Sequence, residues 1–185
     1  MEELESEANG DPRIIFISRI LSEAENIALK KLSDCYVSLH RSEGYGLNIL
    51  ESMGAGIPVI ATNYGGNVDF FQAVQDFLQD CQFPIPYKLV TLEEAFGPYE
   101  ARQQWAEPDH AHAVDAMIRV AQKNCKSKVG KQMSRHVYNV FGESNIGRKM
   151  QKLLADAFPR IQKKQQEKIK PNVDLLGKAL EELWM

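Results

Sequence analysis

Short apolar runs alternate with amphipathic stretches along most of the chain. Ile14-Ile15-Phe16-Ile17, Tyr36-Val37-Ser38-Leu39, Val59-Ile60-Ala61 and Tyr87-Lys88-Leu89-Val90 read as four strands, at 14–17, 36–39, 59–61 and 87–90. The continuous apolar runs among them are the kind buried on both faces of a parallel sheet. Between the first two, Ser22-Glu23-Ala24-Glu25 has the form of a capping box. Ile27, Leu29 and Leu32 then recur at roughly helical spacing, so a helix is predicted over 23–33. A second helix, from Leu47 to Ala55, ends at Gly56 as a left-handed cap, and Pro58 prevents its continuation.

Phe70–Leu78 reads as a further helix, and Pro108 suits the first turn of one running to Asn124. Helices near 126–138 and 143–157 follow, and Val173–Leu183 reads as a terminal helix. Strands alternating with helices predict an α/β fold, a Rossmann-like parallel sheet with flanking helices. The expected divisions are a disordered acidic leader over 1–12, a Rossmann-like domain over 13–158, and a basic linker with a C-terminal helix over 159–185.

Composition changes this picture little. With 185 residues, 44 % apolar and 25 % charged, the chain suffices for one domain with a sizeable core. The net charge of −3 gives no global pull toward nucleic acid. Charge is uneven, however. Glu2, Glu3, Glu5, Glu7 and Asp11 meet no base within 2–11, whereas 148–170 carries eight Lys and Arg against Asp156 and Glu167. Such runs are usually solvated faces. The basic stretch shows no apolar face in this reading, so membrane contact is expected to be peripheral at most.

No run reaches the roughly 18–20 apolar residues of a spanning helix, and the acidic N-terminus has no signal-peptide character. Cys35, Cys81 and Cys125 are sparse and odd in number, which predicts reduced thiols in a cytoplasmic protein. No metal site is expected, since His110 and His112 stand two apart and face different ways on a helix.

The candidate chemistry lies in Ser38-Leu39-His40-Arg41-Ser42-Glu43-Gly44-Tyr45-Gly46-Leu47-Asn48-Ile49-Leu50-Glu51, a strand end, a glycine loop and a helix start in one run. Ligands of open α/β sheets bind beyond the carboxyl ends of strands, and a helix N-terminus favours phosphate. Gly44 and Gly46 let the backbone approach a ligand. Glu43 and Glu51 flank the loop as acceptors for vicinal hydroxyls, the layout a nucleotide-sugar would require. The plainer readings are a solvated loop residue for Glu43 and an exposed, cation-paired residue for Glu51.

Glu43-x7-Glu51 resembles the signature of retaining GT-B glycosyltransferases of glycosyltransferase family 4, the group 1 family. Ser38 to Leu47, Pro58-Val59-Ile60-Ala61-Thr62, Gly66-Asn67-Val68-Asp69-Phe70 and Trp105-Ala106-Glu107-Pro108-Asp109 resemble a bacterial branch of it, so the resemblance runs from about Arg13 to Leu154. It implies that Glu43 contacts the donor sugar as the catalytic carboxylate. Tyr45, Gly46 and Leu47 would offer N–H groups to sugar and diphosphate, with Gly44 in the same loop. Glu51 would hold the ribose, and Ser18-Arg19-Ile20-Leu21, Arg19 included, would help form the base pocket.

Arg41 reads either as a phosphate ligand or as half of a structural salt bridge. Trp105 reads as a packing anchor, and Glu107 and Asp109 as caps of a helix start. The implied function is retaining transfer of a sugar from a nucleotide-diphosphate-sugar to a glycan or lipid-linked acceptor, without a metal cofactor. In this family the enzyme has two such domains, so the chain is expected to be an incomplete C-terminal, donor-binding part, inactive alone, needing the missing N-terminal domain or a partner chain. In a sheet ordered 3-2-1-4-5-6 the strand at 14–17 would lack its neighbour. The alternatives are a non-catalytic nucleotide-sugar-binding module, and a remnant that binds no nucleotide and acts through its basic segment.

Overall fold

The computed structural model describes residues 2–75 and 81–183. Its elements run α1 (Glu2–Ala8), α2 (Glu23–Leu32), β1 (Tyr36–Ser38), α3 (Leu47–Gly54), β2 (Val59–Thr62) and α4 (Val68–Val74). Then follow β3 (Gln82–Ile85), β4 (Tyr87–Thr91), β5 (Gln104–Pro108), α5 (His110–Lys123), α6 (Cys125–Phe141) and α7 (Glu143–Leu183). Strands β1, β2 and β3 lie in that order in one parallel sheet, with Tyr36 opposite Val59 and Ile60 opposite Phe83. The Rossmann-like α/β fold is therefore present.

Side chains of a strand alternate between faces, and β2 thereby divides the core in two. Val59 and Ala61 pack with Ile49 and Met53 of α3, Phe70 and Val74 of α4, and Met133 and Val137 of α6. Ile60 points the other way, joining Phe83 and Ile85 of β3 against Ala113, Ala116 and Val120 of α5. The capping box of α2 forms as expected: the Ser22 hydroxyl accepts from Glu25 N–H, and the Glu25 carboxylate accepts from Ser22 N–H at 2.8 Å. Gly56 takes φ +78 just past α3.

The structure departs from the sequence reading in several places. Ile14–Ile17 is not a buried strand; its residues are 38–81 % exposed and Ile20 is 97 % exposed. Strand β1 is an edge of the sheet, so no strand lies beside it on that side among the described residues, and Val37 is also exposed. The order β1-β2-β3 matches one half of a doubly wound sheet.

The acidic leader holds the helix α1, because Glu, Leu and Ala are good helix formers and acids suit a helix N-terminus. The predicted helix at Phe70–Leu78 begins earlier, at Val68, and its residues beyond 75 lie outside the described residues.

The run at 87–90 is β4, but it pairs antiparallel with β5 and not with the parallel sheet. The third parallel strand is β3, hidden in sequence by Pro84, which is tolerated on an edge strand. Pro108 ends β5, and Asp109 caps α5 in its place by accepting from His112 N–H at 3.1 Å.

Helix α7 continues through Pro159, where a linker was expected, and carries the apolar face that the sequence reading denied to this segment: Met150, Leu153, Leu154, Phe158 and Ile161 are all exposed. Dividing the segment at the proline had split that stripe.

Cys81 and Cys125 form a disulfide with Cα atoms 5.4 Å apart, against the expectation of three reduced thiols. Their 44-residue separation conceals that the start of β3 meets the start of α6. Cys35 remains a free thiol, and burial pushes its pKa up to about 11. No helix among the described residues is long and apolar enough to cross a membrane.

Candidate functional site

The carboxyl ends of β1 and β2 open into two loops that lock together. Gly65, with φ +85, lies so close to the first loop that a Cβ there would stand 2.2 Å from the Glu43 carbonyl oxygen. Gly46, with φ +88, turns the chain into α3 directly above Asn67. The Glu43 carboxylate accepts from Gly46 N–H at 3.0 Å and so clasps its own loop. The Tyr45 ring meets Phe70 edge-on at 5.1 Å, leaving Tyr45 half exposed. Glu43, Gly44, Tyr45, Gly46 and Leu47 thus form a single junction at the N-terminus of α3, where unpaired N–H groups and the helix dipole favour an anion.

Beneath this junction lie unsatisfied polar atoms. Thr62 Oγ1, Asn67 Oδ1 and both ring nitrogens of His40 are buried without a hydrogen-bond partner. Asn67 is fixed by donating Nδ2–H to the Thr62 carbonyl at 2.8 Å. His40 lies beside Asn67 and the Thr62 backbone without reaching normal hydrogen-bond geometry to either. Burial holds its pKa below the ordinary value, outweighing the opposing pull of Glu43, so the imidazole is neutral at pH 7. Orphaned buried polar atoms are rare, and a cluster of them beneath a glycine loop is suited to a polar ligand or ordered water.

The other candidates point away from the junction. Glu51, a turn further along α3, takes an ion pair from Lys30 of α2, whose Nζ also donates to Asn48 Oδ1 at 2.8 Å. Lys30 is 9 % exposed and Glu51 is 56 % exposed. Both line an open groove of about 1250 Å³, bordered by Leu50, Val137 and Tyr138, that does not include Glu43.

Arg41 adopts its salt-bridge reading. It donates to both Glu107 carboxylate oxygens, at 2.5 and 2.9 Å, and lies 4.9 Å from the Trp105 ring centre. The guanidinium holds the Glu107 carboxyl below its usual range. Trp105 is the anchor expected of it, set edge-on to Phe96 and Tyr99. Arg19, on the exposed segment, pairs with Glu25, whose pKa falls to about 2 chiefly through that contact.

Sequence reasoning missed Lys30, Thr62 and Asn67. Lys30 carried a signal, since it follows Ile27 by three residues and so falls on the same side of α2, the side that lines the groove. Thr62 and Asn67 stand inside two blocks of the resemblance, Pro58 to Thr62 and Gly66 to Phe70, but no role attached to either there. Among the described residues no group of three or more His, Cys, Asp and Glu is placed to hold a metal ion. His110 lies 3.6 Å from Glu107, and His112 lies 2.9 Å from Asp109.

Residues 1–78 match the model of the family described as glycosyl transferases group 1. The matched segment takes in the glycine loop, both glutamates and the two locked loops, and it supports glycosyl transfer in general. No curated protein matches the chain.

Proposed function

We propose that this chain carries the donor half of a retaining, GT-B-type glycosyl-transfer site. It would take a nucleotide-diphosphate-sugar and pass the sugar to a glycan or lipid-linked acceptor held by a further domain or a partner chain. The observation that carries this reading is the loop from Glu43 to Leu47. It sets a carboxylate and a helix N-terminus side by side at the carboxyl edge of a parallel sheet, over buried atoms that lack partners.

The chemistry follows from those groups. Sugar hydroxyls would replace Gly46 N–H as donors to Glu43, which frees that N–H for the diphosphate along with those of Tyr45 and Leu47. Glu51 would accept from the ribose hydroxyls while Lys30 balances its charge. Arg41 would reach the diphosphate, and Arg19 the base, only by releasing Glu107 and Glu25. Positioning, together with N–H groups aimed at the charge that develops on the leaving diphosphate, would supply most of the acceleration.

A thermal melt with UDP, GDP and ADP in turn tests this. Ligand at a hundredfold excess over its Kd adds about 2.7 kcal/mol of stability. The expected outcome is that one nucleotide raises Tm and that Glu51→Ala reduces the shift. No shift with any nucleotide defeats the reading. The second reading, a nucleotide-sugar-binding module without catalysis, is favoured by the open edge of β1. A nucleotide-dependent shift without transfer under any supplied partner would select it.

A further inference from the structure

We infer that α7 is an interfacial helix that docks the chain on an anionic lipid bilayer through residues 146–164. Met150, Leu153, Leu154, Phe158 and Ile161 are each more than half exposed, and Ile146 and Ala157 fall between them on the same side. At 100° per residue these seven occupy an arc of about 140°, and from 146 to 161 they extend for about 24 Å. No acidic residue interrupts that arc within 146–164. On the rest of the circumference stand Arg148, Lys149, Lys152, Arg160 and Lys163 with a single acid, Asp156, while Lys164 closes the C-terminal end of the stripe.

Hydrogen bonds hold the beginning of the helix. Asn145 Nδ2 donates to the Val140 carbonyl at 2.8 Å, and Gly142 N–H donates to the Tyr138 carbonyl at 3.0 Å, which fixes the turn from α6 into α7. Beyond that turn the large side chains of the stripe, Met150, Leu153, Leu154, Phe158 and Ile161, are exposed, while Ile146 and Ala157 are half-buried.

Charge decides the occupant. A second copy seated on the same face would bring Arg148, Lys149, Lys152, Arg160 and Lys164 of each chain together, five more cations against the single acid Asp156. The acidic helix α1 spans only seven residues and is shorter than the stripe. An anionic bilayer accepts both properties at once, apolar side chains into the acyl boundary and cations among the headgroups. Since no described helix is long and apolar enough to cross, the mode is lying on the surface. This inference stands apart from the donor-site reading: the apolar stripe lies outside that site, although Arg148 also lines the groove beside Glu51 and Lys30.

The test is co-sedimentation of the full chain with phosphatidylglycerol vesicles and, separately, with phosphatidylcholine vesicles. Binding should appear with the former and not the latter, and about 0.5 M salt should weaken it. Each cation near the surface contributes roughly fivefold, so Lys149→Gln with Lys152→Gln should weaken partition about 25-fold. Leu153→Glu with Leu154→Glu should abolish it while leaving Tm unchanged, because both side chains are exposed.

Failure to sediment with either vesicle overturns the inference. So does equal binding to both, or undiminished binding by the leucine variant. Sedimentation equilibrium supplies the remaining outcome: a dimer that the leucine variant breaks, in a chain that ignores vesicles, would assign the stripe to a second copy and overturn the bilayer.

Discussion

Strand β2 and the segment Ile14–Ile17 are written in the same alphabet and end in opposite states. Val59, Ile60, Ala61 and Thr62 are all 0 % exposed, whereas the more apolar Ile14-Ile15-Phe16-Ile17 is 38–81 % exposed. The difference lies in what stands alongside. Strand β2 has a strand on each flank and helices over both faces, while Ile14–Ile17 has no strand next to it among the described residues. A continuous apolar run states what a segment requires, and only the rest of the sheet can supply it. This segment is therefore the surface that a completing domain or partner chain would cover on the reading proposed above.

The same substitution at both places gives the largest contrast. Ile60→Ala should cost about 2–5 kcal/mol, through lost burial and the cavity left between the sheet and α5. Ile15→Ala should stay within about 0.5 kcal/mol in the isolated chain. Urea denaturation of the two variants measures both. A partner that covers the segment would make Ile15→Ala costly only in the complex, and equal costs in the isolated chain would refute the comparison.

Two glycines sharpen it within the site. Gly65→Ala should cost about 2–3 kcal/mol, from its positive φ and the collision of a Cβ with the Glu43 carbonyl. Gly44→Ala, where nothing lies within 4 Å, should change stability by less than about 1 kcal/mol. Thermal melts of both separate a packed loop from a merely flexible one.

The ion pairs repeat the contrast at a smaller scale. Glu51→Ala should cost about 1–2 kcal/mol, because it leaves the buried Lys30 ammonium with Asn48 alone. Arg19→Ala, in an exposed pair, should leave Tm unchanged.

What was legible in the sequence follows the same line. The capping box at Ser22, the helix ending at Gly56 and the strands at 36–39 and 59–61 are local features with local causes, and they are present with boundaries shifted by a residue or two. The glycine loop and its flanking glutamates could be located because they form one continuous run. Neighbours were the part that could not be read. Pro84 disguised β3, the pairing of β4 with β5 joins segments separated by a long loop, and Cys81 meets Cys125 only through the packing of α6. The partners of Arg41 and Glu51 were equally hidden, since Glu107 and Lys30 lie 66 and 21 residues away.

The smallest expected effect falls on His40, where the buried half of the molecule meets the site. Burial lowers its pKa in the folded chain below the ordinary 6.5. As pH falls through that value, the unfolded chain takes up the proton first, so stability is full above about 6.5 and declines as pH drops below it. His40→Asn removes this titration, and the variant should lose less stability than the parent between pH 7.5 and pH 5 in urea melts. Because the other histidines and all the carboxylates are common to both chains, the difference between the two slopes belongs to residue 40 alone. Parallel slopes would mean that the imidazole is solvated in the folded state. The pocket beneath the glycine loop would then be open to water, and the contrast between a packed site and an uncovered edge would lose its nearest boundary.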